Sequence, residues 1–194
     1  DLWGFIDATG SVVVQPQYSD VGNFSDNLAA VQDSDGWKYI NPQGEVVINP
    51  PFQLNFAGAF GDGLAPFETS EGWGYLDQSG NIAIQIEFDE ASNFQNGLAI
   101  VRDGGVHGLI DTNGELVIEY QFNEVRSIRE DFLTVLIDNR WMFLNTQTQR
   151  LIVSPRFDGA EDFNYGVAKV WFGNDNRRYG YIDVNGDYIW FPRN

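Results

Sequence analysis

The chain of 194 residues has no cysteine, so disulfides, thiolate metal sites and cysteine nucleophiles are excluded, and pairing says nothing about redox compartment. It has a single histidine, His107, too few nitrogen or sulfur ligands for a transition-metal site. Cations are scarce: 11 Lys and Arg stand against 28 Asp and Glu, a net charge of -17. Such a field repels polyanions, which removes nucleic acid and anionic lipid from the partner classes and favours cationic ones. No run approaches the ~18 apolar residues of a membrane span, so no membrane insertion is expected, and no basic-then-apolar leader precedes Trp3. The chain opens at Asp1 rather than methionine, and the expectation is a processed or excised segment of a larger protein. Catalytic signatures are missing as well. There is no G-x-S-x-G elbow, no phosphate-cradling loop and no triad set, and neighbours such as Glu87 with Asp89 or Glu161 with Asp162 are what so many acids produce by chance. We expect no enzyme activity and no cofactor.

What the chain does have is one phrase written six times. It reads Trp3-Gly4-Phe5-Ile6-Asp7, Trp37-Lys38-Tyr39-Ile40-Asn41, Trp73-Gly74-Tyr75-Leu76-Asp77, His107-Gly108-Leu109-Ile110-Asp111, Trp141-Met142-Phe143-Leu144-Asn145 and Tyr179-Gly180-Tyr181-Ile182-Asp183. The first residues lie 34, 36, 34, 34 and 38 positions apart, the mark of a tandem repeat whose units cannot own a core singly.

Within one unit, Leu28-Ala29-Ala30-Val31, then Trp37-Lys38-Tyr39-Ile40, then Val46-Val47-Ile48 are three short β-favouring runs separated by turn chemistry. The second turn opens on Asp or Asn, which accepts local backbone hydrogen bonds, and ends on Gly10, Gly44, Gly80, Gly114 or Gly186, where a bulge needs positive φ. The turn at 145–149 has Gln149 instead. A connecting segment follows, with apolar residues at fixed places: Tyr18, Val21, Phe24 and Leu28; Phe88, Ala91, Phe94 and Leu98; Phe122, Val125, Ile128 and Phe132; Phe157, Ala160, Phe163 and Val167. Just before its last apolar residue stand Asn27, Gly63, Gly97, Asp131 and Gly166, types that tolerate a left-handed backbone, and positive φ is predicted at each.

These features give an all-β fold, a repeat of about 34 residues built as a three-stranded meander plus connecting segment. The Trp-type and Val-Val-Ile strands occur six times, the Leu-Ala-Val strand and the link only five times. That imbalance favours an open, β-solenoid-like stack over the alternative of a five- or six-bladed β-propeller. We read 1–194 as a single repeat domain with an N-terminal half unit, 1–17, and five full units, 18–50, 51–86, 87–120, 121–155 and 156–194.

Trp73-Gly74-Tyr75-Leu76-Asp77, Gly80, Phe88-Asp89 and Gly97-Leu98-Ala99 together resemble the bacterial WG-repeat family, and the resemblance covers essentially the whole chain. It departs at His107 for Trp, and at Lys38 and Met142 for Gly. The resemblance implies a β-rich bacterial module, often part of a larger or exported protein, with no catalytic signature to carry over; it leaves the location open and favours an extracytoplasmic one, periplasmic, secreted or at the cell surface.

The aromatic series Trp3, Trp37, Trp73, His107, Trp141 and Tyr179 reads as a packing ladder before it reads as a stripe for sugar rings, because recurring residues in a stack are those that join units. Asp33-Ser34-Asp35-Gly36 lacks the remaining oxygen ligands of a calcium loop and reads as a hairpin turn. Function is expected where units differ. The insertion Trp171-Phe172-Gly173-Asn174-Asp175-Asn176-Arg177-Arg178 combines aromatics and arginines, the types enriched at binding hot spots, and Trp171, Phe172, Arg177 and Arg178 are the candidate ligand-binding residues. The expected role is a non-catalytic module for protein or glycan binding or scaffolding. The alternatives are a carbohydrate-active enzyme or its accessory domain, and a purely structural spacer.

Overall fold

A computed structural model describes residues 1–173 and 178–191. The described residues form strands and turns without a helix. The first sheet is a pair, β1 (Trp3–Ile6) with β2 (Val12–Tyr18), and five four-stranded sheets follow in chain order. They are β3 (Asp20–Val21), β4 (Ala29–Asp33), β5 (Gly36–Ile40) and β6 (Val46–Ile48); β7 (Phe56–Ala57), β8 (Leu64–Thr69), β9 (Gly72–Asp77) and β10 (Ile82–Phe88); and β11 (Glu90–Ala91), β12 (Leu98–Asp103), β13 (Val106–Asp111) and β14 (Leu116–Phe122). The last two are β15 (Glu124–Arg129), β16 (Phe132–Ile137), β17 (Arg140–Asn145) and β18 (Arg150–Phe157), and then β19 (Gly159–Ala160), β20 (Val167–Phe172), β21 (Arg178–Asp183) and β22 (Tyr188–Trp190). Each four-stranded sheet is a meander of strands consecutive in the chain, and the predicted link contributes its first strand, two residues long except for the six of β15.

Local chemistry accounts for the turns. The Oδ1 of Asp7, Asn41, Asp77, Asp111 and Asp183 each accepts two backbone N–H bonds from the residues two and four further on, at 2.8–3.0 Å. The turn glycines all have positive φ, and Gln149 takes that conformation at φ 56°. Glycine has a second reason there: a Cβ on Gly44 would sit 2.7 Å from Val14 Cγ2, and one on Gly80 at 2.7 Å from Ile48 Cγ2.

The residues predicted to be left-handed are so, at Asn27, Gly63, Gly97, Asp131 and Gly166. The residue before each is left-handed too, at Asp26, Asp62, Asn96, Glu130 and Tyr165, which makes these two-residue type I′ turns. Successive turns are latched: Asp26 Oδ2 accepts from Gly63 N at 3.0 Å, Asp62 Oδ2 from Gly97 N at 2.7 Å, and Glu130 takes both Tyr165 N and Gly166 N, at 2.6 and 2.8 Å.

The chain divides into two compact units. Unit 1 comprises 1–104 with 108–117, and unit 2 comprises 105–107 with 118–194. In unit 1 the third phrase residue packs its ring on the next link, Phe5 on Phe24, Tyr39 on Phe60 and Tyr75 on Phe94, at 4.8–4.9 Å between centroids. Tyr39 and Tyr75 also donate their hydroxyls to the carbonyls of Gly58 and Ser92, at 2.9 and 2.8 Å, and burial pushes the Tyr39 pKa well up. In unit 2, Phe143 packs on Phe163 at 4.8 Å, and the bond to the next link comes from Arg126, whose Nη1 donates to Ala160 O at 2.7 Å while its guanidinium lies 4.3 Å over Trp141.

Candidate functional site

Trp171 and Phe172 end β20 and Arg178 begins β21, with Trp171 opposite Tyr179 and Phe172 opposite Arg178. Arg177 lies outside the described residues. Consecutive strand residues point to opposite faces. Phe172 accordingly packs against Phe157 and Phe191, while Trp171 covers Gly159. Lys169 reaches between the rings of Trp171 and Tyr179, at 5.9 and 5.3 Å, and pairs with Glu161 at 3.1 Å. The two aromatics therefore serve different surroundings.

The other irregular residues have structural partners. His107 is half-buried in the Trp position, its Nδ1 at 3.4 Å from Phe122 O. Asp33 and Asp35 close a hairpin and share Lys38, at 2.7 and 3.4 Å. Lys38 holds the Asp33 carboxyl below its ordinary range, and Asp33 raises Lys38 in return. Among the described residues no three of His, Cys, Asp and Glu gather to hold a metal ion. In the Trp series Trp37 is packed, 9% exposed with its Nε1 donating to Asn55 O at 3.3 Å and Phe56 between it and Trp73, whereas Trp73, Trp141 and Tyr179 are half-buried and Trp3 is exposed. Gly74 lets the following strand close in, since a Cβ there would lie 2.8 Å from Ile84 O.

A second irregularity, two extra residues between Phe52 and Phe60, shapes the surface of unit 1. β10 runs on to Phe88, whereas β6 stops at Ile48 and Asn49-Pro50-Pro51 turns away. Pro51 has no N–H to extend the ladder. Phe52 anchors the segment on Phe67 at 5.5 Å, and Leu54 is buried. A groove flanks it on each side. One, of about 380 Å³, is lined by Asp35, Trp37, Asn49, Pro51, Phe52 and Leu54. The other, of about 280 Å³, is lined by Phe52, Gln53, Thr69, Glu71, Ile82 and Ile86. The sequence signal for this site was the 36-residue interval, which marks an insertion without saying that it opens grooves.

Charge is divided unevenly. Unit 1 carries 17 acidic and 2 basic side chains, net -15; unit 2 carries 11 and 9, net -2. Both cations of unit 1 are spent internally, Lys38 on Asp33 and Asp35, and Arg102 on Glu90. The turn aspartates are held as anions. Asp7 lies below its ordinary value chiefly through the Thr9 hydroxyl, Asp77 through the Asn81 amide and Asp183 through the Asp187 amide. At Asp111 burial pushes upward, but the amides of Glu115 and Asn113 outweigh it.

A repeated antiparallel sheet, its copies within each unit joined by aromatic phrase residues and turn latches, defines a tandem β-repeat domain. The chain belongs to the WG containing repeat family, which matches it at residues 3–37, 39–71, 73–106, 108–141 and 141–173. No curated protein matches it. Among solved structures it is similar to a eukaryotic initiation factor, with TM-score 0.57 and 14% identity over 83% of this chain and 50% of that one. It is also similar to Hsv2 of Kluyveromyces lactis, with TM-score 0.55 and 12% identity over 90% and 63%. The chain thus spans between half and just under two thirds of these neighbours, and at such identities the likeness shows fold alone, of the β-propeller and repeat kind.

Proposed function

We propose that this WG-repeat domain is a non-catalytic binding module that takes a cationic protein segment on unit 1. The observation that carries the reading is a net charge of -15 on a unit whose only two cations are already paired. A field of this size steers basic partners and discriminates against acidic ones. The grooves beside 49–54 give the partner somewhere to seat: Phe52 offers an aromatic face, and Glu71 and Asp35 supply carboxylates for lysine or arginine. The burial of Trp37 speaks against a sugar-stacking stripe and so favours a protein over a glycan.

Titration calorimetry with a Lys/Arg-rich peptide tests this. Saturable binding is expected, weakened at least about tenfold between 50 and 500 mM salt by screening. It should weaken also in Phe52→Ala and Glu71→Gln. Absence of saturation at low salt, or indifference to both substitutions, overturns the reading, and saturable binding of a neutral glycan in its place would replace it.

A further inference from the structure

Two hairpins of unit 1 bracket the segment 49–54. Asp35-Gly36-Trp37 at the turn from β4 to β5 and Glu71-Gly72-Trp73 at the turn from β8 to β9 hold the same place in successive repeats, each with a carboxylate two residues before its tryptophan. Asp35 lines the groove of about 380 Å³ and Glu71 the groove of about 280 Å³. Both carboxylates are open to a partner. The Glu71 side chain is exposed and takes part in no hydrogen bond or ion pair among the described residues. Asp35, with a side chain 78% exposed, has Lys38 at 3.4 Å, but Lys38 lies closer to Asp33, at 2.7 Å, and the three keep one negative charge.

The far end of the same sheets differs. Because the strands are antiparallel, the turns at Asp26 and Asp62 and those opening on Asn41 and Asp77 stand away from these hairpins. Most carboxylates there already hold amides of the chain: Asp26 and Asp62 latch the next turn, and Asp77 closes its own. The grooves thus open at the end where carboxylates remain for a partner.

Each groove also pairs its carboxylate with an apolar wall. Trp37, Phe52 and Leu54 form one wall, and Phe52, Ile82 and Ile86 the other. Such surroundings suit lysine or arginine, whose methylene stem lies along apolar surface while the charged head reaches outward. Phe52 and Gln53 line both grooves, so the segment is a ridge between them.

We propose that the two grooves are paired subsites for one extended segment, which places a basic residue in each and crosses the Phe52 ridge with a short spacer. The inference rests on the reading of unit 1 as a binder of cationic segments and adds the order of residues in the partner. Net charge alone accepts basic residues in any arrangement. Two subsites divided by a ridge do not, because filling the first makes the second contact intramolecular, and its strength peaks at the spacer length that spans the ridge.

The probes are isomeric peptides of equal length and charge, each with two lysines in a glycine and serine background, the lysines adjacent in one and separated by roughly one to six residues in the others. In calorimetric titrations of the whole chain at low salt, affinity should pass through a maximum with spacer length, at least about tenfold above the adjacent isomer. Asp35→Asn and Glu71→Gln should each bring the best isomer down to the level of the adjacent one. Both side chains are open, so the melting temperature should stay within a degree or two. Saturable binding of all isomers with equal affinity overturns the pairing and leaves the charge reading of unit 1 standing. A maximum indifferent to either substitution places a cation elsewhere and overturns it too. No saturable binding of any isomer overturns both.

Discussion

Unit 1 and unit 2 are built from the same phrase and fasten it differently. In unit 1 a neutral hydroxyl, of Tyr39 or Tyr75, crosses to a carbonyl of the next link. In unit 2 the ring position is Phe143, which has no donor, and the crossing bond comes from Arg126 stacked on Trp141. The latch differs in the same sense: one aspartate oxygen per turn in unit 1, and both oxygens of Glu130 in unit 2. Joining repeats thus prescribes no single donor: Phe5 packs on Phe24 through its ring, and Tyr39, Tyr75 and Arg126 each add a hydrogen bond to a link carbonyl, Arg126 to one a residue earlier in its link. Tyrosine does that work without a cation at the joint and arginine brings one, a single charge of the difference between net -15 on unit 1 and net -2 on unit 2. A repeat can change its surface field while keeping its core.

The largest effect should come from Gly61→Ala in unit 1, where a Cβ would overlap the backbone carbonyl of Phe94. A loss of about 3 kcal/mol or more is expected, because main chain on both sides resists the shift. Gly159→Ala in unit 2 meets the Trp171 ring instead, and a half-exposed side chain at a strand end can swing aside, for about 1–2 kcal/mol. Equal losses in denaturant melts would break that distinction.

Arg126→Ala should cost about 2 kcal/mol by removing a charge-assisted bond and a cation–π contact together, and Arg126→Lys should restore little of it. Gly97→Val tests backbone conformation alone, since nothing lies within 4 Å of its Cβ position and φ is 78°. The expected loss is about 1–2 kcal/mol, and a change within about ±0.3 would refute the assignment. Tyr39→Phe, leaving Gly58 O short of its donor, should cost about 1 kcal/mol and be insensitive to salt.

The smallest effect is acid sensitivity of the turns. Asp7, Asp77, Asp111 and Asp183 are depressed below 3.8 in the folded chain, so what they contribute is complete above that value and drains away as pH falls through their lower folded values. Protection factors, which remove the intrinsic fall of amide exchange with pH, should drop at these turns below about pH 4, while the turn of Asn41, which has no carboxyl at that place, serves as the control whose protection stays unchanged. An equal drop at Asn41 would mean that the carboxylates are not responsible.

Much of this was legible in the residues. The Asx-to-Gly turns, the meander strands and five left-handed positions follow from side chains that act on their own backbone within four residues. The second left-handed residue of each type I′ turn was less so. Glu130 and Tyr165 carry no local signal for φ of 48° and 52°. Tyr165 is held there by Glu130, 35 residues earlier, and stands 91% exposed. The candidate residues show the same limit: composition grouped Trp171 with Phe172, and strand alternation sends them to opposite faces.

By itself, then, the sequence determined the repeat, its strands, its turns and its family, because each repetition of a local pattern confirms the others. Tertiary structure decided which residues of different repeats meet. The 17-residue reach of Tyr75 to Ser92 and the grooves around Phe52 depend on packing across repeats, and no short-range preference encodes them.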